Sequence, residues 1–172
     1  MVTKIFVCKK CNHGYFLKVL AEQANQSSIS NTPLSLIMMD IDYFKHYNDI
    51  YGHLVGDHIL EALCTAIKQH IKQNDAVGRW GGEEFVISLP HATGAQATQI
   101  AKRIGETLGK VRVESRDQNT VPIPTISQGI AVYPTDANEI YRLIDAADKR
   151  LYVAKGRGRN QIEPETDIWQ EQ

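Results

Sequence analysis

The chain has 172 residues, 42% of them apolar, the size of one domain that buries a core without metal or disulfide support. Its 19 basic and 20 acidic residues leave a formal charge of -1, so no overall field draws it to nucleic acid or to an anionic membrane, and any phosphate binding has to be local. The longest nearly apolar run, Leu34 to Met39, falls far short of the roughly 20 residues of a membrane helix, and no signal-like segment opens the chain, so a soluble cytoplasmic protein is expected.

Near the start, Cys8-Lys9-Lys10-Cys11 has the spacing of half a zinc knuckle or a redox pair. The further ligands would be His13 and the distant Cys64, which sits on a helix-like apolar face, so reduced surface thiols are the preferred reading. Tyr15 to Ala24 then places Phe16, Val19, Leu20 and Ala24 at helix spacing, and the Ser- and Asn-rich stretch Asn25 to Pro33 reads as a loop. Leu34 to Met39 reads as a buried strand that ends abruptly in Asp40-Ile41-Asp42, presenting carboxylates at the edge where ligands commonly sit.

Val55, Ile59, Leu60, Leu63, Ile67 and Ile71 recur at helical spacing. Asp75 to Trp80 and Val86 to Leu89 flank a glycine turn and predict a hairpin. Helices are predicted over Ala95 to Leu108 and Ile140 to Lys155, a strand over Ile123 to Tyr133 after a loop from Arg112 to Pro124, and a short last strand over Asn160 to Glu163. The order β-α-β-β-α-β-α-β, with hairpin and crossover connections, predicts an α/β fold with a central mixed, largely antiparallel five-stranded sheet flanked by helices, like a polymerase palm.

Phosphoryl and nucleotidyl transfer need a divalent metal to neutralise triphosphate charge, and Mg²⁺ is usually held by one or two carboxylates together with substrate oxygens. Asp40 at a strand end, with Glu83 or Glu84 at a hairpin turn, suits that need. Gly81 and Gly82 permit positive φ and a close approach to a ligand, yet Gly-Gly followed by two acids is, alone, an ordinary solvated turn. Taken singly, Asn48 reads as a turn residue, Asp57 as a helix N-terminal acid, and Lys155 with Arg159 as a basic helix end complementing the dipole. Asp42 reads as a strand-end hydrogen bonder before a water-mediated metal contact, and His46, His53, His58, His70 and His91, scattered and without paired spacing, as structural or solvent-facing.

The strings Asp40 to Asp49, Tyr51-Gly52-His53, Gly56-Asp57, Arg79-Trp80-Gly81-Gly82-Glu83-Glu84-Phe85, Ser127 to Ala131 and Tyr152 to Asn160 together resemble the GGDEF family of diguanylate cyclases, over roughly Tyr15 to Gln161. The resemblance implies a divergent N-terminal segment over 1–14, a catalytic domain over 15–163 with the nucleotidyl cyclase/polymerase palm fold, and a tail over 164–172. It implies metal ligands at Asp40, the Ile41 carbonyl and Glu83, with Glu83 as general base and Glu84 as the second candidate for base or second metal. Asn48 and Asp57 match the family's guanine readers, Lys155 and Arg159 its charges on the β and γ phosphates, and the amides of Phe44 and Lys45 its phosphate contacts. The implied reaction joins two GTP into cyclic di-GMP with release of two pyrophosphates, using one or two Mg²⁺ or Mn²⁺ per half-site, across a homodimer. A sensory or regulatory domain in a longer native protein is the implied partner, with neither nucleic acid nor membrane bound by this segment.

Two departures stand out. The family's opening Asp-x-Leu-Thr-x-Leu-x-Asn-Arg-Arg pattern is replaced by an altered stretch, Val2 to Phe16, which suggests an aberrant or truncated start. The Arg-x-x-Asp pair used for product inhibition becomes Lys72-Gln73-Asn74-Asp75, and a lysine lacks the planar fork of arginine, so weak or absent inhibition is expected. The competing functions are a non-catalytic GTP or cyclic di-GMP receptor, which the intact acidic turn disfavours, and a palm-like enzyme for adenine nucleotides, which Asn48 and Asp57 disfavour.

Overall fold

The computed structural model describes residues 13–164, so the Cys8/Cys11 segment and the tail from 165 lie outside the described residues. A five-stranded sheet has the order β2-β3-β1-β6-β7, from β1 (Leu34–Ile41), β2 (Ala76–Arg79), β3 (Glu84–Pro90), β6 (Ile126–Tyr133) and β7 (Ile162–Glu163). β1 pairs antiparallel with β3 and β6, β2 antiparallel with β3, and only β7 runs parallel to its neighbour, so the predicted mixed, largely antiparallel sheet is observed.

All eight residues of β1 are buried because helices cover both faces of the sheet. Alternation along the strand sends Ile37, Met39 and Ile41 into a core with α2 (Phe44–Tyr51), α3 (His53–His70) and α4 (Gly94–Gly109), contributed by Ile59, Leu63, Ile67 and Ile104. Leu34, Leu36 and Met38 point the other way, against α1 (His13–Ser30) and α5 (Ile140–Gly156), where they meet Leu20, Leu143 and Ala147. No helix among the described residues is long and apolar enough to cross a membrane.

The structure departs from the sequence expectations in four places. α1 continues through the Ser- and Asn-rich stretch to Ser30, because its polar side chains find partners: Ser28 Oγ lies 2.6 Å from the Tyr133 hydroxyl, and Ser27 is buried. α2 was not anticipated; it buries only Phe44 and Tyr47, too few positions for a periodic signal. The loop after α4 holds a small hairpin, β4 (Val113–Glu114) with β5 (Thr120–Val121), whose two valines are buried. β6 starts at Ile126 and β7 at Ile162, both later than predicted.

Helix α5 lies unusually close to the sheet. A Cβ on Gly129, in β6, would overlap the Ala147 carbonyl oxygen and the Leu151 amide nitrogen, both rigid backbone. The Arg150 side chain fixes the helix beside it, donating to the Ile130 carbonyl at 2.6 Å and pairing with both oxygens of Asp136 at 2.7 and 2.8 Å. Gly129→Ala should therefore cost about 1–3 kcal/mol through forced displacement of α5. Gly105→Ala, where the nearest atom to a new Cβ is at 3.9 Å, should be neutral or stabilising, since alanine favours the helix. Urea melts of the two variants check this, and equal stabilities would contradict it.

Candidate active site

The site begins where β1 ends. Asp40 is registered against Glu84 of β3 on one side and Ser127 of β6 on the other, and it shares the sheet face of Leu36 and Met38, which looks toward α5. On that face Lys155, in the last turn of α5, places Nζ 2.9 Å from Asp40 Oδ2.

The acidic turn closes between β2 and β3 with the Trp80 and Gly81 amides donating to the Glu84 carbonyl at 2.7 and 3.3 Å. The Arg79 guanidinium donates to the Gly82 carbonyl and braces the loop from beneath. Neither Gly81 nor Gly82 has a left-handed backbone, contrary to the expectation of positive φ. Gly81 supplies space instead, since a Cβ there would stand 2.5 Å from a Glu84 carboxylate oxygen, whereas one on Gly82 would meet nothing within 4 Å. The Glu84 carboxylate thus folds back over Gly81, and Glu83 is the acid that lines the cavity beside Asp40.

Past the strand, Asp42 gathers three chain segments. Its carboxylate accepts hydrogen bonds from Thr125 Oγ1 and Ser127 Oγ, both at 2.6 Å, and from the Asn160 amide at 3.0 Å, so the strand-end hydrogen bonder expected from sequence is what the structure contains. Arg159 and Asn160 turn in the left-handed region immediately after α5, and the Asn160 contact holds that turn over the end of β1. Tyr43, also left-handed, presents an exposed ring with the Arg159 guanidinium 4.2 Å from its centroid and donating to its hydroxyl at 3.2 Å. The pairing of Tyr43 with Arg159 has no signal in the sequence, because the two lie 116 residues apart and only the fold joins them.

Asp40, Ile41, Phe44, Lys45, Glu83, Lys155 and Arg159 line one cavity of about 360 Å³. The amides of Phe44 and Lys45 open α2, whose first turn leaves N–H groups without intrahelical partners. Asp57 lines a second cavity of about 630 Å³ walled also by Arg79 and Phe85, and Asn48 packs against Gly56, the residue before it. Lys72 and Asp75 stand apart, on a cavity of about 550 Å³ shared with His91 and Arg103; there Asp75 is buried and its carboxylate accepts the Lys72 amide at 2.6 Å. A roomier cavity, about 730 Å³ between α4 and β7, contains none of the predicted site residues, so chemistry rather than size marks the site. Of the histidines, His70 bonds Thr107 at 2.7 Å, whereas His46, His53, His58 and His91 are exposed.

Burial pushes the Asp40 carboxyl up to about 6; the Lys155 ammonium opposes that rise, and the nearby Glu83 and Glu84 charges add to it. Among the described residues no group of three or more His, Cys, Asp or Glu closes around a common point, as a zinc site would. A buried Asp repelled by neighbouring acids, sharing with Glu83 a cavity lined also by Lys155 and Arg159, fits Mg²⁺ or Mn²⁺, which take one or two carboxylates and complete their shell with water and phosphate.

The family model described as "Diguanylate cyclase, GGDEF domain" matches residues 9–161. Diguanylate cyclase A of Treponema denticola is 35% identical over 163 residues, which cover 93% of this chain and 43% of that protein. Among solved structures, the GGDEF domain of YfiN (TpbB) from Pseudomonas aeruginosa superposes with a TM-score of 0.81 at 32% identity, over 88% of this chain and 93% of that one. The GGDEF domain of DgcB from Caulobacter crescentus, solved in complex with c-di-GMP, has a TM-score of 0.80 at 25% identity, covering 88% of each chain. The chain spans less than half the length of the curated relatives it matches.

An unfolded Asp titrates near 4, so between about pH 4 and 6 the folded chain holds a proton on Asp40 that the unfolded chain has lost. The stability owed to this group is therefore present below pH 4 and declines as pH rises through 6. In chelator-treated protein Asp40→Asn should remove that decline and raise stability at pH 7 by about 1–2 kcal/mol, the lost Lys155 pair offsetting part of the gain. Urea melts at pH 4.5 and 7 measure it, and a less stable variant at pH 7 would refute it.

Proposed function

The chain belongs to the GGDEF diguanylate cyclase family, and we propose that it condenses two GTP into cyclic di-GMP, releasing two pyrophosphates. The observation that carries this reading is the convergence of Asp40, Glu83, Lys155 and Arg159, from three separate segments, on one small cavity at the end of β1.

In the proposed chemistry Asp40, the Ile41 carbonyl and Glu83 hold Mg²⁺ or Mn²⁺, which when bound neutralises triphosphate charge and acidifies a ribose hydroxyl. Glu83 accepts the proton of the 3′-hydroxyl as the oxygen bonds to the α-phosphorus of the other GTP and the bond to the β-phosphate oxygen breaks. Lys155 and Arg159 stabilise the charge of the departing pyrophosphate, Lys155 as a mobile point charge and Arg159 as a planar fork steadied on Tyr43. The first-turn amides at Phe44 and Lys45 cradle the phosphates, while Asn48 and Asp57 read the guanine edge, an amide and a carboxylate answering its mixed acceptors and donors.

The proposed contacts, phosphates in one cavity and guanine beside the next, account for one GTP per chain, and a twofold product needs two attacking hydroxyls, so a second copy of the domain supplies the other half. The length of the relatives supports a sensory or regulatory domain that would control this encounter in a longer native protein.

With Mg²⁺ and GTP the protein should yield cyclic di-GMP by chromatography, with ATP giving no cyclic dinucleotide and chelation stopping turnover. Glu83→Ala should lower the rate by about 10²–10⁴-fold while GTP still binds. GTP binding without turnover by the unmodified protein, even at high concentration, would sink the cyclase reading in favour of a receptor. We further propose that product inhibition through Lys72 and Asp75 is weak, because a lysine cannot grip guanine and phosphate in one plane. Lys72→Arg should strengthen it in a product-titration assay; submicromolar inhibition of the unmodified protein, abolished by Asp75→Ala, would contradict the proposal.

A further inference from the structure

Gly56 lies buried in the first turn of α3 with an unexceptional backbone. Its φ is not left-handed, and its amide donates to the Gly52 carbonyl at 3.1 Å. Glycine is a poor helix residue and alanine the best, so the local backbone supplies no reason for a glycine here.

The reason lies across the junction of two helices. A Cβ at position 56 would overlap Oδ1 of Asn48, and would stand 2.9 Å from Asn48 Cγ and 3.2 Å from Phe44 Cζ. The Asn48 amide therefore occupies the volume that any other residue at 56 would fill. Its Oδ1 is buried there without a hydrogen-bond partner, an arrangement that a purely structural asparagine avoids. That end of the amide is held by the shape of the seat rather than by a polar contact. Asp57, the next residue along α3, is exposed and lines the neighbouring cavity, so the position of one proposed base reader relative to the other is set at Gly56.

We propose that Gly56 is a positioning residue for base recognition: its missing side chain is the seat that orients Asn48 beside Asp57. This rests on the proposed assignment of Asn48 and Asp57 as the guanine readers. Filling the seat swings the Asn48 amide away and leaves the phosphate end of the site intact.

The test compares equilibrium binding of GTP with binding of inorganic triphosphate, which engages the phosphate end alone, in the presence of Mg²⁺ at concentrations where turnover is negligible. Gly56→Ala should weaken GTP about tenfold, the scale of one good hydrogen bond, and leave triphosphate unchanged. Asn48→Ala should weaken GTP similarly, and Gly56→Ala should add nothing in that background, because the residue acts through Asn48. If Asn48→Ala leaves GTP binding unaltered, the assignment of Asn48 as a base reader fails. If Asn48→Ala weakens GTP but Gly56→Ala does not, the positioning role alone fails. Should Gly56→Ala lower the melting temperature, truncating Asn48 should restore it. A double variant as unstable as the single one would overturn the proposal, since the new Cβ would then be clashing with something other than Asn48.

Discussion

Helix α5 rests on strand β6 at a distance only a glycine allows, with Gly129 facing the Ala147 carbonyl and the Leu151 amide directly. The rest of the site inherits this spacing. Because α5 is close, the Lys155 side chain reaches Asp40 at the sheet edge, and the chain leaving α5 drops onto the end of β1, where Asp42 captures the Asn160 amide. The same carboxylate binds Thr125 and Ser127, so three segments far apart in sequence are tied at one point. Arg159 stands between these two fixed contacts, its guanidinium laid on Tyr43.

The electrostatics of the cavity favour ligand binding over stability. Asp40 is buried and has acidic neighbours, and a folded chain with no other purpose would replace it with an apolar residue. Lys155 offsets part of that penalty in the free protein. Under the proposed chemistry, cation and triphosphate take over the charges that Lys155 and Asp40 lend each other, so the pair acts as a placeholder for the substrate complex. The buried, unpartnered Asn48 oxygen belongs to the same pattern of local cost held in reserve for a ligand.

Much of this was legible before any coordinates. The apolar run from Leu34 to Met39 ending in Asp40, the helical spacing from Val55 to Ile67, and the hairpin around Gly81 and Gly82 all appear where the pattern puts them. What escaped was short or held by distant contacts. α2 has only two inward residues, and the end of α1 stays helical through contacts such as that between Ser28 and Tyr133. Tyr43 carries no periodic or compositional mark, and the turn glycines do not use the backbone freedom that their residue type permits.

The sequence by itself determined the chemical inventory: two acids in a glycine turn, an acid at a strand end, an amide and a carboxylate nine residues apart, and two cations at a helix end. These are residue types at fixed spacings, and motif and periodicity are properties of local chain order. Only the tertiary structure decided which of Glu83 and Glu84 faces the cavity, that Lys155 reaches Asp40, and that Gly56 and Gly129 are required by packing. Those outcomes depend on strand register and on helix-to-sheet distances, which arise from contacts between segments that no local pattern specifies.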